Sequence, residues 1–476
     1  MRTKAPINIR IKQLGRITLA FSLAMITAAG CDFGDLNIDP TRQSDANVHE
    51  ILPAAIVQTA RNVMSIGGRV AGTLVQQFEG TEAQPLSYNN YLVDEQTLSD
   101  FWETGLYAGA MKDCRIIIDK STAEDQPYYA GIARVLMAFN LGIATSFWGD
   151  VPYSEALLGT ESLKSAYDPQ EQVYQSILAL LDDAILDFQQ PAALGGPAGD
   201  DLIYNGDAMR WIKTCHALKA RYLMHQSKRN AGVAEQALAE IAQAFSSASE
   251  QPDFHFADSD NESNPLALFG QERPQQIEIG VALKALMVSS SDPRRSRYWV
   301  EVQGKDEVYL AGNTDLIRAQ RSSTIPLISY SELLFLQAEA LVRTGASNAA
   351  QVFTKAIIAS MEACGITSTQ YNPYLAFNGG LASSLTLEEK LKKVIEQKFI
   401  SLYGQNPHEA WIDQRRTGYP ALQVPSNANA SLNPSLVIPK RVPYPISERT
   451  TNNTNYQDAI NRQGGHLMDV SPWLFQ

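Results

Sequence analysis

The chain has 476 residues, 45% hydrophobic and 19% charged, with only 4 Cys. That apolar content supports a sizeable core without disulfides or structural zinc, and it excludes a disordered or collagen-like chain. The formal charge of −12 argues against nucleic acid as a partner, because phosphate binders gather Lys and Arg on one basic face.

All charges in residues 1–30 are positive (Arg2, Lys4, Arg10, Lys12 and Arg16), and an apolar run follows from Ile17 to Ala29. This is the layout of a signal peptide. As a helix the run would rise only ~20 Å, short of the ~30 Å hydrocarbon core, and no later segment looks apolar enough to span. Ala28-Ala29-Gly30-Cys31 resembles a bacterial lipoprotein processing site, which makes Cys31 the expected acylated residue; cleavage by an ordinary signal peptidase is the other reading. Several acyl chains on one cysteine would give a stable membrane anchor. Losing this segment removes five cations and no acids, so the exported body is more acidic still. Residues 31–47, rich in Asp and Asn, read as a flexible acidic leader, and 48–476 as one large domain.

From Val48 the signals are helical, over 48–64, 67–79, 97–119, 125–147, 168–188, 206–227, 232–246, 329–343, 348–362 and 386–403. In the segment after Asp168 the sequence offers that residue as a cap, Pro169 in the first turn and a stripe of Val173, Ile177, Leu181, Ala184 and Phe188. Strand-like alternation is confined to short pieces such as Tyr298–Val302. Residues 189–205, 250–275 and 420–470 read as long loops, the kind of segment that carries binding. Ala338 and Ala340, a turn at Gly345, then Ala349, Phe353 and Ala356 give one tetratricopeptide-like helix hairpin, without a regular 34-residue repeat. The expected fold is mostly α, a single large helical domain with tetratricopeptide-like hairpins and long ligand-binding loops.

Several separated segments identify a family. They are Gly149-Asp150-Val151-Pro152-Tyr153-Ser154-Glu155-Ala156, Tyr330-Ser331-Glu332-Leu333-Leu334 running to Ala338-Glu339-Ala340, and Glu409-Ala410-Trp411-Ile412-Asp413-Gln414-Arg415-Arg416-Thr417-Gly418-Tyr419-Pro420. With Asp292-Pro293-Arg294 and Arg441-Val442-Pro443-Tyr444-Pro445, the chain resembles the SusD/RagB family of nutrient-binding outer-membrane lipoproteins. The resemblance implies a lipid-anchored, cell-surface-facing outer-membrane protein that passes an oligosaccharide to a TonB-dependent SusC-like transporter. Peptide-binding members of the same family, or a secreted or periplasmic glycan hydrolase, are the alternatives.

Locally the same segments read as structure. Gly149 and Pro152 turn the chain after Trp148, Ser329 and Glu332 make a capping box, and Gly418 and Pro420 stop a helix behind two cations. Glu339, set between alanines, needs a cationic partner if buried, and Arg415 or Arg416 is the expected one, within ~4 Å.

No HExxH, GxSxG, GxxxxGK[ST] or GxGxxG motif occurs. The histidines show no ligand spacing, so neither catalysis, a metal nor a cofactor is expected. Cys114, Cys215 and Cys364 read as buried thiols, and the pairs Asp182-Asp183 and Asp200-Asp201 as solvated surface. Binding has more support. Tyr88, Asn89, Asn90 and Tyr91 fall in a predicted loop, with Phe78 before and Trp102 after, and aromatics beside amides suit a sugar. The competing role for Tyr88 and Tyr91 is packing that loop on the body. A second candidate group is Phe269, Arg273, Arg297, Tyr298 and Trp299.

Overall fold

Consecutive helices pack side by side to bury the apolar stripes that the sequence repeats every three or four positions. The computed structural model describes residues 46–159, 162–191 and 196–476, and the chain divides into Met1–Asn47 and Val48–Gln476. The expected signal segment 1–30, Cys31 and nearly all of the leader lie outside the described residues.

In chain order the second unit runs α1 (Val48–Met64), α2 (Ile66–Leu74), β1 (Phe78–Gly80), α3 (Ala83–Asn89), a π-helix (Phe101–Met111), α4 (Lys112–Ala123), α5 (Pro127–Trp148), α6 (Gln170–Gln189), α7 (Ala208–His225), α8 (Val233–Ile241), β2 (Asp253–His255), α9 (Pro265–Glu272) and β3 (Ile277–Ile279). It continues with α10 (Val281–Ser289), α11 (Arg295–Tyr298), β4 (Val300–Val302), β5 (Lys305–Glu307), β6 (Thr324–Pro326), α12 (Tyr330–Arg343), α13 (Ala349–Glu362), α14 (Ser368–Asn378), α15 (Leu387–Ser401), α16 (Pro407–Thr417), α17 (Ile446–Thr451) and α18 (Asn453–Gln463). The protein is mostly helical, as the sequence implies. Its strands form a small antiparallel sheet in the order β1-β3-β5-β4 and a separate β2-β6 pair. Phe78 faces Ile279 and Gly80 faces Ile277.

Helices α4 to α8 pack each on the next, α8 meets α12, and α12 packs on α13 and α15. The α12–α13 hairpin is the tetratricopeptide-like one: Gly345 turns the chain at φ 71°, buried Ala338, Ala340 and Ala356 permit close approach, and the Phe335 and Phe353 rings meet edge to face at 6.4 Å. By length and composition α5 could cross a bilayer, which corrects the expectation that nothing after the leader is so apolar. Nearly all of its surface is buried, against α1, the π-helix, α4 and α6, so it is the core helix.

Two of the family motifs, 330–340 and 409–420, lie in a buried ionic lattice that joins α7, α12, α15 and α16. Arg416 grips Glu339 with two hydrogen bonds of 2.5 Å, so the expected partner is present and it is Arg416. Arg415 instead lies over the Trp411 ring at 3.7 Å and donates to the carbonyls of Ser146 and Lys440 at 2.6 and 2.9 Å. Asp413 accepts from Arg416 at 2.7 Å and has Lys398 Nζ 2.9 Å away, an ion pair without hydrogen-bond alignment. Arg221 binds both oxygens of Glu332 at 2.7 and 2.8 Å, and His225 Nε2 lies 2.7 Å from Glu409. Indole N–H groups hold the C-terminal strap: Trp148 donates to Pro443 O and Trp411 to Pro439 O, at 3.0 and 2.9 Å.

Several local expectations change for identifiable reasons. The predicted helix 67–79 ends at Leu74, because Gln76 takes φ 59° and Phe78 pairs with β3. Asp168 does not cap α6; its carboxylate accepts from the Tyr153 and Ser154 amides, both at 2.8 Å. Ser329 does cap α12, accepting from Glu332 N at 3.2 Å, but the Glu332 carboxylate is committed to Arg221, so the reciprocal half of the box is missing. Asp201 is buried, not solvated, and accepts from the Trp211 indole at 2.8 Å. The supposed loops contain the short helices α9, α17 and α18.

Candidate functional site

Where α1 gives way to α2, the chain turns at Ser65 and presents Arg61, Ser65 and Arg69 along one wall of a cleft of about 590 Å³. Arg69 is the one charged residue in the run IGGRVAGTL of α2. The opposite wall is α9, started by Asn264, whose side chain accepts from Leu266 N at 2.9 Å, with Pro265 in the first turn. It contributes Phe269, Glu272 and Arg273, while Gln84 of α3 and the 94–100 segment complete the lining. Two α-helical walls fix the side chains more firmly than a free loop would.

The ring of Phe269 is the floor on which cations rest. The Arg69 guanidinium lies 4.2 Å from its centroid and that of Arg273 lies 5.3 Å away, geometry that favours cation–π attraction. Burial pulls the Arg69 guanidinium down to about 10, with Tyr88 opposing that shift and Arg273 adding to it; it remains cationic at neutral pH. Burial pushes the Tyr88 hydroxyl up, and Arg69 and Arg273 moderate the rise. Three polar atoms here are buried without a hydrogen-bond partner: Ser65 Oγ, Arg69 Nε and the Tyr88 hydroxyl. Such atoms are uncommon in native proteins and ask for a ligand, a solvent molecule or a strain account.

The predicted site residues divide. Phe269 and Arg273 line the cleft, and Tyr88 lies behind it within electrostatic reach of both arginines. The Tyr88–Tyr91 segment is not a loop between helices but the end of α3 and its cap. Tyr88 and Tyr91 are 1% exposed, while Asn89 and Asn90 are half-buried, and Asn90 O accepts from Asn429 N at 2.8 Å. Trp299 is buried away from the cleft, with Arg295 over its ring at 5.4 Å. Tyr298 packs on Tyr403 at 4.5 Å between ring centroids, and Arg297 pairs with Asp315; neither Arg297, Tyr298 nor Trp299 lines the cleft. Trp102 and Phe78 are likewise core residues.

Arg61 and Arg69 were missed. For Arg69 a lone cation in an otherwise uncharged helix is the available signal, but only the fold shows that it makes no ion pair among the described residues. Other clefts exist, one of about 770 Å³ near Arg318, Tyr330 and Lys355 and one of about 460 Å³ near Trp102 and Lys112. Among the described residues no cluster of His, Cys, Asp and Glu suited to a metal ion occurs.

Comparison with known proteins places the fold. The sequence model of the SusD-like family described as "Starch-binding associating with outer membrane" matches residues 40–445. No curated protein matches the sequence. A SusD/RagB family protein from Bacteroides thetaiotaomicron superposes with a TM-score of 0.75 at 24% identity, covering 90% of this chain and 99% of that one. A chitin-binding SusD homolog from Flavobacterium johnsoniae gives 0.74 at 20% identity, covering 89% and 98%. At these identities the structures share the fold, and the family match over residues 40–445 takes in every cleft residue from Arg61 to Arg273. The chain therefore belongs to the SusD-like family of outer-membrane-associated, nutrient-binding proteins.

Proposed function

We propose that this protein is a lipid-anchored, cell-surface nutrient-binding protein that captures an oligosaccharide in the α1–α2–α9 cleft and delivers it to a TonB-dependent SusC-like transporter. The observation that carries the reading is that cleft, of about 590 Å³, lined by Phe269, Arg273, Gln84, Ser65 and Thr97. Hydroxyl, amide and guanidinium donors around an apolar floor are what a polyhydroxylated ligand requires. The chitin-binding homolog of the same fold supports a glycan as cargo. No chemical change in the cargo is needed for this role. Anchoring rests on Cys31 at the end of the signal segment, and the broad helical face formed by stacked hairpins suits contact with a transporter.

Calorimetric titration with neutral and charged oligosaccharides tests the binding. Binding weakened by Phe269→Ala or Arg273→Ala is expected, and a tight peptide with no glycan bound would instead make this a peptide-binding member. Release of shorter products from a bound glycan would assign a hydrolase. Metabolic labelling with palmitate, lost in Cys31→Ala, tests the anchor, and co-purification of a TonB-dependent barrel from membranes tests the partner.

A further inference from the structure

The fully buried guanidiniums in this fold each hold a carboxylate or a carbonyl, although Arg221 Nη1, Arg415 Nη2 and Arg441 Nη2 also lack a partner. Arg221, Arg294 and Arg416 hold carboxylates at 2.7, 2.6 and 2.5 Å, and Arg415 and Arg441 donate to backbone carbonyls at 2.6 and 3.2 Å. Arg69 differs. Its guanidinium rests on Phe269 at 4.2 Å and its Nε is buried without a partner; among the described residues it makes no ion pair. The acids lining the cleft make no ion pair with Arg69, although Glu272 acts on it through space. Asp94 Oδ1 accepts from Gln96 N, Thr97 N and Thr97 Oγ1 at 3.0, 3.0 and 2.8 Å, Glu272 lies 3.6 Å from Arg273, and Asp100 is exposed at the rim.

Phe269 is only 4% exposed, so its ring supports the guanidiniums and is not a free platform for a pyranose to stack on. A guanidinium laid flat on an aromatic face keeps its edge N–H groups free, and that edge matches a carboxylate in bidentate fashion. The unpartnered Ser65 Oγ is a further donor on the same wall of the cleft. We propose that the cleft selects a carboxylate-bearing saccharide of the uronic-acid class, with Arg69 as the carboxylate clamp and Arg273 beside it. This rests on the cleft being the nutrient site.

The test is calorimetric titration of the full mature chain with galacturonate, glucuronate-containing and mannuronate oligomers, each beside its carboxyl-reduced or methyl-esterified counterpart of equal length. At least one acid form should bind about tenfold or more tighter than its neutral twin, the gain expected of charge-assisted hydrogen bonds. Arg69→Gln should abolish that preference and leave neutral-oligomer affinity within about twofold, and Arg69→Lys should restore it only in part, since an ammonium has no fork. The Tm of Arg69→Gln should not fall, because the variant removes an unmatched charge; a large fall would make Arg69 a structural residue and overturn the clamp. If neutral oligomers bind as well as acidic ones and Arg69→Gln changes nothing, the inference fails while the nutrient cleft stands. If acidic peptides bind and no glycan does, or if nothing binds, the inference and the oligosaccharide reading both fail.

Discussion

Replacing Glu339 by alanine should be among the most damaging single changes in this protein. The side chain is fully buried and accepts two hydrogen bonds from Arg416 at 2.5 Å and one from Arg343 Nε at 2.8 Å. Without it, two buried cations, Arg416 and Lys398, share one carboxylate, that of Asp413. Arg343, with 24% of its side chain exposed, turns to water. An uncompensated charge in such a place costs roughly 3–5 kcal/mol, and a Coulomb estimate at ~4 Å with an effective dielectric near ~20 gives ~4 kcal/mol. Equilibrium denaturation of Glu339→Ala should report a loss in that range. The double variant Glu339→Leu with Arg416→Met should recover most of it, because an apolar pair of similar volume replaces the ions.

Acid should narrow the gap between wild type and Glu339→Ala. Burial alone would raise the Glu339 carboxyl, but Arg416, then Arg343 and Lys398, more than offset it and hold it below the usual range. A depressed carboxylate stabilises the fold fully above its unfolded value, ~4.3, and loses that contribution as pH falls toward the folded one. A Glu339→Ala protein within 1 kcal/mol of wild type at pH 7, roughly the cost of an ordinary surface pair, or a double variant no better than the single, would refute the reasoning.

Other expected outcomes follow from burial and backbone geometry. Tyr91→Ala should cost roughly 3–5 kcal/mol, the range for deleting a buried aromatic ring, since Tyr91 is 1% exposed; denaturant unfolding measures it, and a weak stability effect would contradict packing. Gly149 has φ 79° and an added Cβ would sit 2.0 Å from Gln463 Oε1, so Gly149→Ala should lower stability by at least ~1–3 kcal/mol and visibly lower the Tm. Thr386 and Glu389 form a reciprocal cap on α15; Thr386→Ala should cost ~1 kcal/mol in the same assay, and no change would mean that the α15 terminus frays in the wild type.

The sequence by itself determined the helical class, the helices from α1 to α8 apart from α3, the α12–α13 hairpin and the family, because periodic apolar stripes and cap and stop residues act over a few positions in the chain. It also required a cation for Glu339, since a carboxylate amid alanines has no other way to be buried. Tertiary structure decided which arginine answers: Arg415 and Arg416 are adjacent, and the rotation of α16 against α12 turns one to Glu339 and the other onto Trp411. It also decided the site. Tyr88 and Tyr91 look like ligand contacts in a polar segment, yet α2 and the 429 segment cover them; Trp299 is sealed in the core. Arg69 meets Phe269 only because α2 and α9, some 200 residues apart in the chain, face each other across one cleft, and no local pattern encodes a juxtaposition made by packing.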